Sequence, residues 1–93
     1  MDQELAELLL LVERADTDYD KRYRLVLTAV WRASTLNLAT GFRIDPTEPE
    51  WPVAYIELPT GQVSWHLPQH PIAWDGHGTA EKYRRCRAYA EGL

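Results

Sequence analysis

A single cysteine (Cys86), a single phenylalanine (Phe42) and a single methionine set the first limits on this chain of 93 residues. One thiol closes no intramolecular disulfide and cannot supply the paired thiolates of a structural zinc site. Long hydrophobic runs are missing as well, and nothing approaches the roughly 20 apolar residues needed to span a bilayer. The apolar stretch 8–12 is too short for the core of a secretory signal, and acids rather than bases precede it. The chain therefore reads as a cytoplasmic protein. Positive charge is in deficit, with 10 Lys and Arg against 14 Asp and Glu and a net charge of −4. That balance excludes general affinity for nucleic acid or for an anionic membrane. Internal repeats and low-complexity tracts are absent.

What is present is enough for one globular domain, 1–93. Hydrophobic residues make up 45% of the chain and include four Trp and five Tyr. A domain this small buries only about 60–65% of its unfolded surface. Large aromatics help to offset that deficit, and self-association into a homo-oligomer is another way to cover apolar area. Charge is also unevenly placed. Residues 2–20 carry seven acids against one base, Arg14, whereas Lys82, Arg84, Arg85 and Arg87 near the end face only Glu81 and Glu91. A local anion site is compatible with an acidic whole.

Periodicity divides the chain into helices and strands. Leu5, Leu8, Leu9 and Val12 predict a helix over 2–14, and Leu10 and Leu11 widen its apolar face to two sides. Thr17 resembles an N-cap with Asp20 three residues on. A long second helix is expected over 18–40, with Tyr19, Tyr23, Val26, Val30 and Ala33 on one face and Gly41 as its stop. A short strand at 42–45 precedes a loop at 45–50, where Pro46 and Pro49 remove two backbone donors. Residues 51–58 alternate, Val53, Tyr55 and Glu57 to one face and Ala54, Ile56 and Leu58 to the other. Pro59-Thr60-Gly61 is a hairpin turn, and 63–67 returns with Val63, Trp65 and Leu67 on one face. An irregular stretch, 68–78, leads to a final helix over 79–91 with Tyr83, Cys86 and Ala90 as its buried stripe. The expected class is α+β: a small antiparallel sheet packed against a long helix, with helices at both ends.

Chemistry concentrates between Gln62 and Arg85. Gln62-Val63-Ser64-Trp65-His66 and the run from Trp74-Asp75-Gly76-His77-Gly78-Thr79 to Lys82 and Arg85 hold two of the four Trp and two of the three His. A glycine-flanked loop entering a helix presents free backbone N–H groups at Gly78 and Thr79; with Lys82 or Arg85 nearby these suit a phosphate or carboxylate. Trp65 and Trp74 offer faces for a planar base, worth about 1–3 kcal/mol per stacked ring. Gln62, His66, Asp75 and His77 would read polar edges. The whole suits a small anionic, nucleotide-like ligand held without a cofactor.

Each of these residues also has a plainer reading. Trp65 alternates with Val63 and Leu67 and so falls on a core face. Trp74 plugs a sheet edge equally well, Asp75 or Thr79 serves as a helix cap, and His77 satisfies a carbonyl. Glu81 and Arg85 are spaced for a helix pair. His66, His70, Asp75 and His77 are metal-ligand types within twelve positions, yet Pro68 and Pro71 break the regular spacing that a tetrahedral site needs, so no metal is assigned. Ser64 and His66 share a strand face, but no carboxylate is spaced to orient the imidazole. Cys86 on a buried stripe is inert.

The segments from Gly61 to His66, Trp74-Asp75-Gly76-His77 and Thr79-Ala80-Glu81-Lys82-Tyr83-Arg84-Arg85 resemble a family of small proteins, frequent in phages and prophages, named for a WDGH motif. The resemblance covers roughly the last third of the chain. Gly78 departs from it, standing where a polar or β-branched residue is expected. The family brings no settled activity. It implies a phage-type origin, and small phage-type proteins often block host defence by sequestering a small signal or by occupying a host protein. The leading expectation is non-enzymatic binding of a small anionic, nucleotide-derived ligand by a counter-defence protein. Its rivals are an inhibitor that meets a host protein through the acidic surface of the first helix and the loop 45–50, and a small hydrolase that uses the histidines.

Overall fold

The computed structural model describes residues 2–67, the side chains of 44–45 and 48–52 apart. Two helices, α1 (Gln3–Ala15) and α2 (Tyr19–Thr35), precede a three-stranded antiparallel meander, β1 (Thr40–Asp45), β2 (Glu48–Leu58) and β3 (Gly61–His66), in the order β1-β2-β3. The class is α+β. The expected loop at 68–78 and final helix at 79–91 lie outside the described residues.

Asp2 caps α1, its Oδ1 accepting from the Leu5 N–H at 2.9 Å. The Arg32 guanidinium grips the same carboxylate through Nε at 3.3 Å and a terminal nitrogen at 3.0 Å. One acid therefore both starts α1 and ties it to α2. Leu5 and Val12 are buried, and Leu8 and Leu9 pack beside them.

The cap of α2 lies one residue later than expected. Asp18, not Thr17, accepts from the Lys21 N–H, while the Thr17 carbonyl takes the Tyr19 N–H at 3.0 Å. The buried residues of α2 (Tyr23, Leu25, Val26, Leu27, Ala29, Val30 and Ala33) sweep too wide an arc for a single stripe. The helix packs against α1 and also against β1 and β2. It ends at Thr35 rather than near 40. Asn37 takes the left-handed conformation (φ 61°). The Asn37 N–H then bonds the Ser34 carbonyl at 3.2 Å, and the Leu38 N–H bonds Ala33 at 3.1 Å. These are the two hydrogen bonds of a Schellman cap, and Leu38 adds its usual apolar contact. Asparagine did the work assigned to Gly41.

Gly41 instead lies inside β1, opposite Tyr55. The expected loop at 45–50 contracts to a turn at Pro46-Thr47, with β2 resuming at Glu48. Both prolines that argued for a loop are tolerated. The register shifts between Ile44 and Asp45, which leaves Pro49 out of the regular ladder. Pro52 pairs with Ile44 beyond the last β2–β3 pair, Val53 with His66, so among the described residues β2 has a neighbour on one side only at that point. Leu58 pairs with Gly61 around Pro59-Thr60. Gly61 has φ 136°, which glycine alone adopts without strain.

Cross-strand rows fix the two faces of the sheet. Phe42–Ala54–Trp65 and Thr40–Ile56–Val63 form rows toward the helices, and Ala54 and Ile56 are fully buried. The opposite face carries Arg43–Val53–His66 and Gly41–Tyr55–Ser64, with Glu57 beside Gln62. The alternation expected for these strands is the one observed over 53–58 and 63–66. No helix among the described residues is long and apolar enough to cross a membrane.

Candidate functional site

Tyr19, Arg22, Tyr23 and Val26 recur at i, i+3, i+4 and i+7, the spacing of one helix face. On α2 that face meets the end of β3, and the two enclose a cleft of about 250 Å³ completed by Ser64, Trp65, His66 and Leu67. Three consecutive residues of β3 and Leu67 just after it line one cleft because it wraps the end of the strand, where Ser64 and His66 lie on one face and Trp65 on the other.

The floor is apolar. Tyr23, Val26 and Leu67 are no more than 2% exposed. Trp65 is half-buried and packs against the core, so it is at once core and wall. The rim is polar and aromatic: Ser64 and His66 are exposed, Arg22 is half-buried, and the Tyr19 ring is 58% exposed. An indole and two phenol rings thus surround a recess with one guanidinium at its edge.

Three of the five described arginines are engaged elsewhere, and Arg14, also outside the ion pairs among the described residues, does not line the cleft. Arg24 pairs with Asp20 at 3.5 Å. Arg32 pairs with Asp2 at 3.0 Å and Glu4 at 3.3 Å. Arg43 donates to the Gln62 side chain at 3.0 Å and lies 5.1 Å from the centre of the Tyr55 ring. Arg22 enters none of the side-chain bonds or ion pairs of the described residues. The N-terminal donors of α2 are a poorer anion site, because Asp18 already occupies the Lys21 N–H and Asp20 adds a second negative charge to the first turn. An anion entering this cleft would meet Arg22.

Of the residues singled out in the sequence, Trp65 and His66 line the cleft. Gln62 does not: it bridges Arg43 and the Glu57 carboxylate on the opposite face of the sheet. Trp74, Asp75, His77, Gly78, Thr79, Lys82 and Arg85 lie outside the described residues. The chain passes into that segment from Leu67, on the cleft floor. The cross-strand partners of Ser64 and His66 on β2 are Tyr55 and Val53. Among the described residues no three metal-ligand side chains gather. Tyr19, Arg22 and Tyr23 were missed in the sequence, where the tyrosines read as core. The available signal was a cation between two tyrosines in the first turns of a helix.

A family model described as the WDGH domain matches residues 11–89, far more of the chain than the motif-bearing last third. No curated protein and no solved structure matches.

Proposed function

The chain belongs to the WDGH domain family, and we propose that it binds a small anionic ligand with a planar ring, of the nucleotide class, in the cleft between α2 and β3. One observation carries this reading: three aromatic side chains and a guanidinium outside the ion pairs of the described residues converge on a single recess. Ring stacking and one charge-assisted contact are what a base bearing phosphate needs. Trp65 supplies the stacking face, with Tyr19 at the rim. Arg22 holds the anion, and Ser64 and His66 offer polar groups to the ligand edge. The cleft falls just below the usual range for small-molecule pockets, roughly 300–1,000 Å³, which suits part of a ligand. Trp74, Asp75, His77, Gly78, Thr79, Lys82 and Arg85 of the WDGH segment remain the sequence-based candidates for the rest, outside the described residues. The binding proposed is without turnover, as in sequestration of a signal by a phage-type counter-defence protein.

Thermal unfolding against mononucleotides, cyclic nucleotides, nucleosides and inorganic phosphate tests the reading. A ligand at 100 times its dissociation constant adds about 2.7 kcal/mol, or roughly 10–20 °C in a domain this small. Nucleotides should stabilise, and nucleosides or phosphate alone should do so far less. Arg22→Gln should weaken nucleotide binding about 10- to 100-fold while leaving the unliganded Tm unchanged. Absence of any shift across the panel, with no quenching of tryptophan fluorescence, defeats the reading.

A further inference from the structure

Helix α1 is apolar on two sides, and only one of them is used among the described residues. Leu5 and Val12 are buried, with Leu8 and Leu9 packed beside them, yet Leu10 is 50% and Leu11 41% exposed. Leu10 and Leu11 lie with Glu7 and Arg14 at i, i+3, i+4 and i+7, a single stripe on the far side of the helix. Adjacent exposed leucines in such a stripe mark a contact surface.

Charge identifies the occupant. Glu7 and Arg14 stand at equal distances on either side of the Leu10–Leu11 midpoint. Both are exposed. Glu7 accepts only a 3.3 Å bond from Gln3, and Arg14 joins none of the ion pairs among the described residues. We infer that α1 docks against α1 of a second copy of this chain, antiparallel, about a two-fold axis between Leu10 and Leu11. That arrangement sets Glu7 of each copy against Arg14 of the other, twice, around a patch of four leucines. A parallel pairing would oppose Glu7 to Glu7 and Arg14 to Arg14, so the charges select one orientation. α1 lines no part of the cleft, and the inference stands apart from the ligand reading.

The magnitude follows from size. A helix of 13 residues is about 20 Å long, and one stripe of it buries area at or below the low end of specific interfaces, under about 1,200 Å². The net charge of −4 on each copy opposes association further. The dimer is therefore weak, populated at roughly 100 µM and above. Sedimentation equilibrium of the full chain from roughly 10 µM to 1 mM should show a reversible monomer–dimer step. Leu10→Glu should leave a monomer with an unchanged circular dichroism spectrum, since the side chain is half exposed. Glu7→Arg and Arg14→Glu should each weaken the dimer about tenfold, and the double variant E7R/R14E should return it to within about threefold of the parent. A chain that stays monomeric throughout overturns the inference and leaves the leucines to a different protein. A dimer that survives Leu10→Glu, or one that the double charge swap fails to restore, overturns it equally.

Discussion

Substituting Gly41 isolates one contact that the β1–β2 register imposes. Gly41 sits opposite Tyr55, and a Cβ built on it would fall 2.5 Å from the Tyr55 hydroxyl oxygen, 2.7 Å from Cζ and 2.8 Å from Cε1. Among the described glycines only Gly61 has a positive φ, so the backbone at 41 accepts alanine and space alone decides the outcome. In Gly41→Ala the ring must swing aside. Such overpacking costs about 1–3 kcal/mol, including the cation–π contact with Arg43, itself about 0.5–1 kcal/mol at an exposed site. Alanine recovers about 0.5–1 kcal/mol of backbone entropy relative to glycine in a strand. The net expectation is a loss of about 1 kcal/mol, or about 4–8 °C in Tm. In a Tyr55→Ala background the obstruction is gone, and the same substitution should be neutral or stabilise by up to about 1 kcal/mol. A double-mutant cycle by urea denaturation, with m values compared, should therefore give a coupling of about 1–2 kcal/mol and a change of sign. Equal destabilisation by Gly41→Ala in both backgrounds would show that the ring is not what excludes a side chain there.

Two further outcomes concern the helix ends. The Arg32 hydrogen bond, aided by the Leu5 N–H, holds the Asp2 carboxyl below its ordinary value of 3.8. Its folded value lies below its unfolded one, so the stability it contributes is present above pH 3.8 and is lost as pH falls through the depressed value. Arg32→Gln should lower stability at pH 7 and flatten the acid limb of the stability profile below pH 4, while an unchanged acid limb would remove the Asp2–Arg32 clamp from the account. Asp18→Ala deletes the cap on α2 and should cost about 1 kcal/mol, whereas Thr17→Ala, away from that bond, should cost a few tenths. Equal losses at both positions would reassign the cap.

Much of the fold was legible because periodicity follows from burial. The Leu5, Leu8, Leu9 and Val12 stripe located α1, strict alternation located β2 and β3, and Pro59-Thr60-Gly61 placed the turn between them. The errors share one source, local residues with more than one use. Asn37 serves as a helix stop as well as a glycine does, and Pro49 and Pro52 are compatible with a strand wherever a bulge or a missing neighbour frees their position from the ladder. Neither circumstance is written in a single stretch of chain.

The site divides in the same way. By its own pattern the sequence assigned Trp65 and His66 to a chemically unusual segment and put the two residues on opposite faces of a strand. Only the tertiary fold, which sets α2 and the end of β3 around one cleft, brought Tyr19, Arg22 and Tyr23 to them, and only the bonding among the described residues showed that Arg24, Arg32 and Arg43 are engaged there where Arg22 is not. The physical reason is range. Helix and strand periods are set by neighbours a few residues apart, whereas a cleft and the charge left over within it depend on contacts some forty residues distant along the chain, which hydrophobic pattern does not encode.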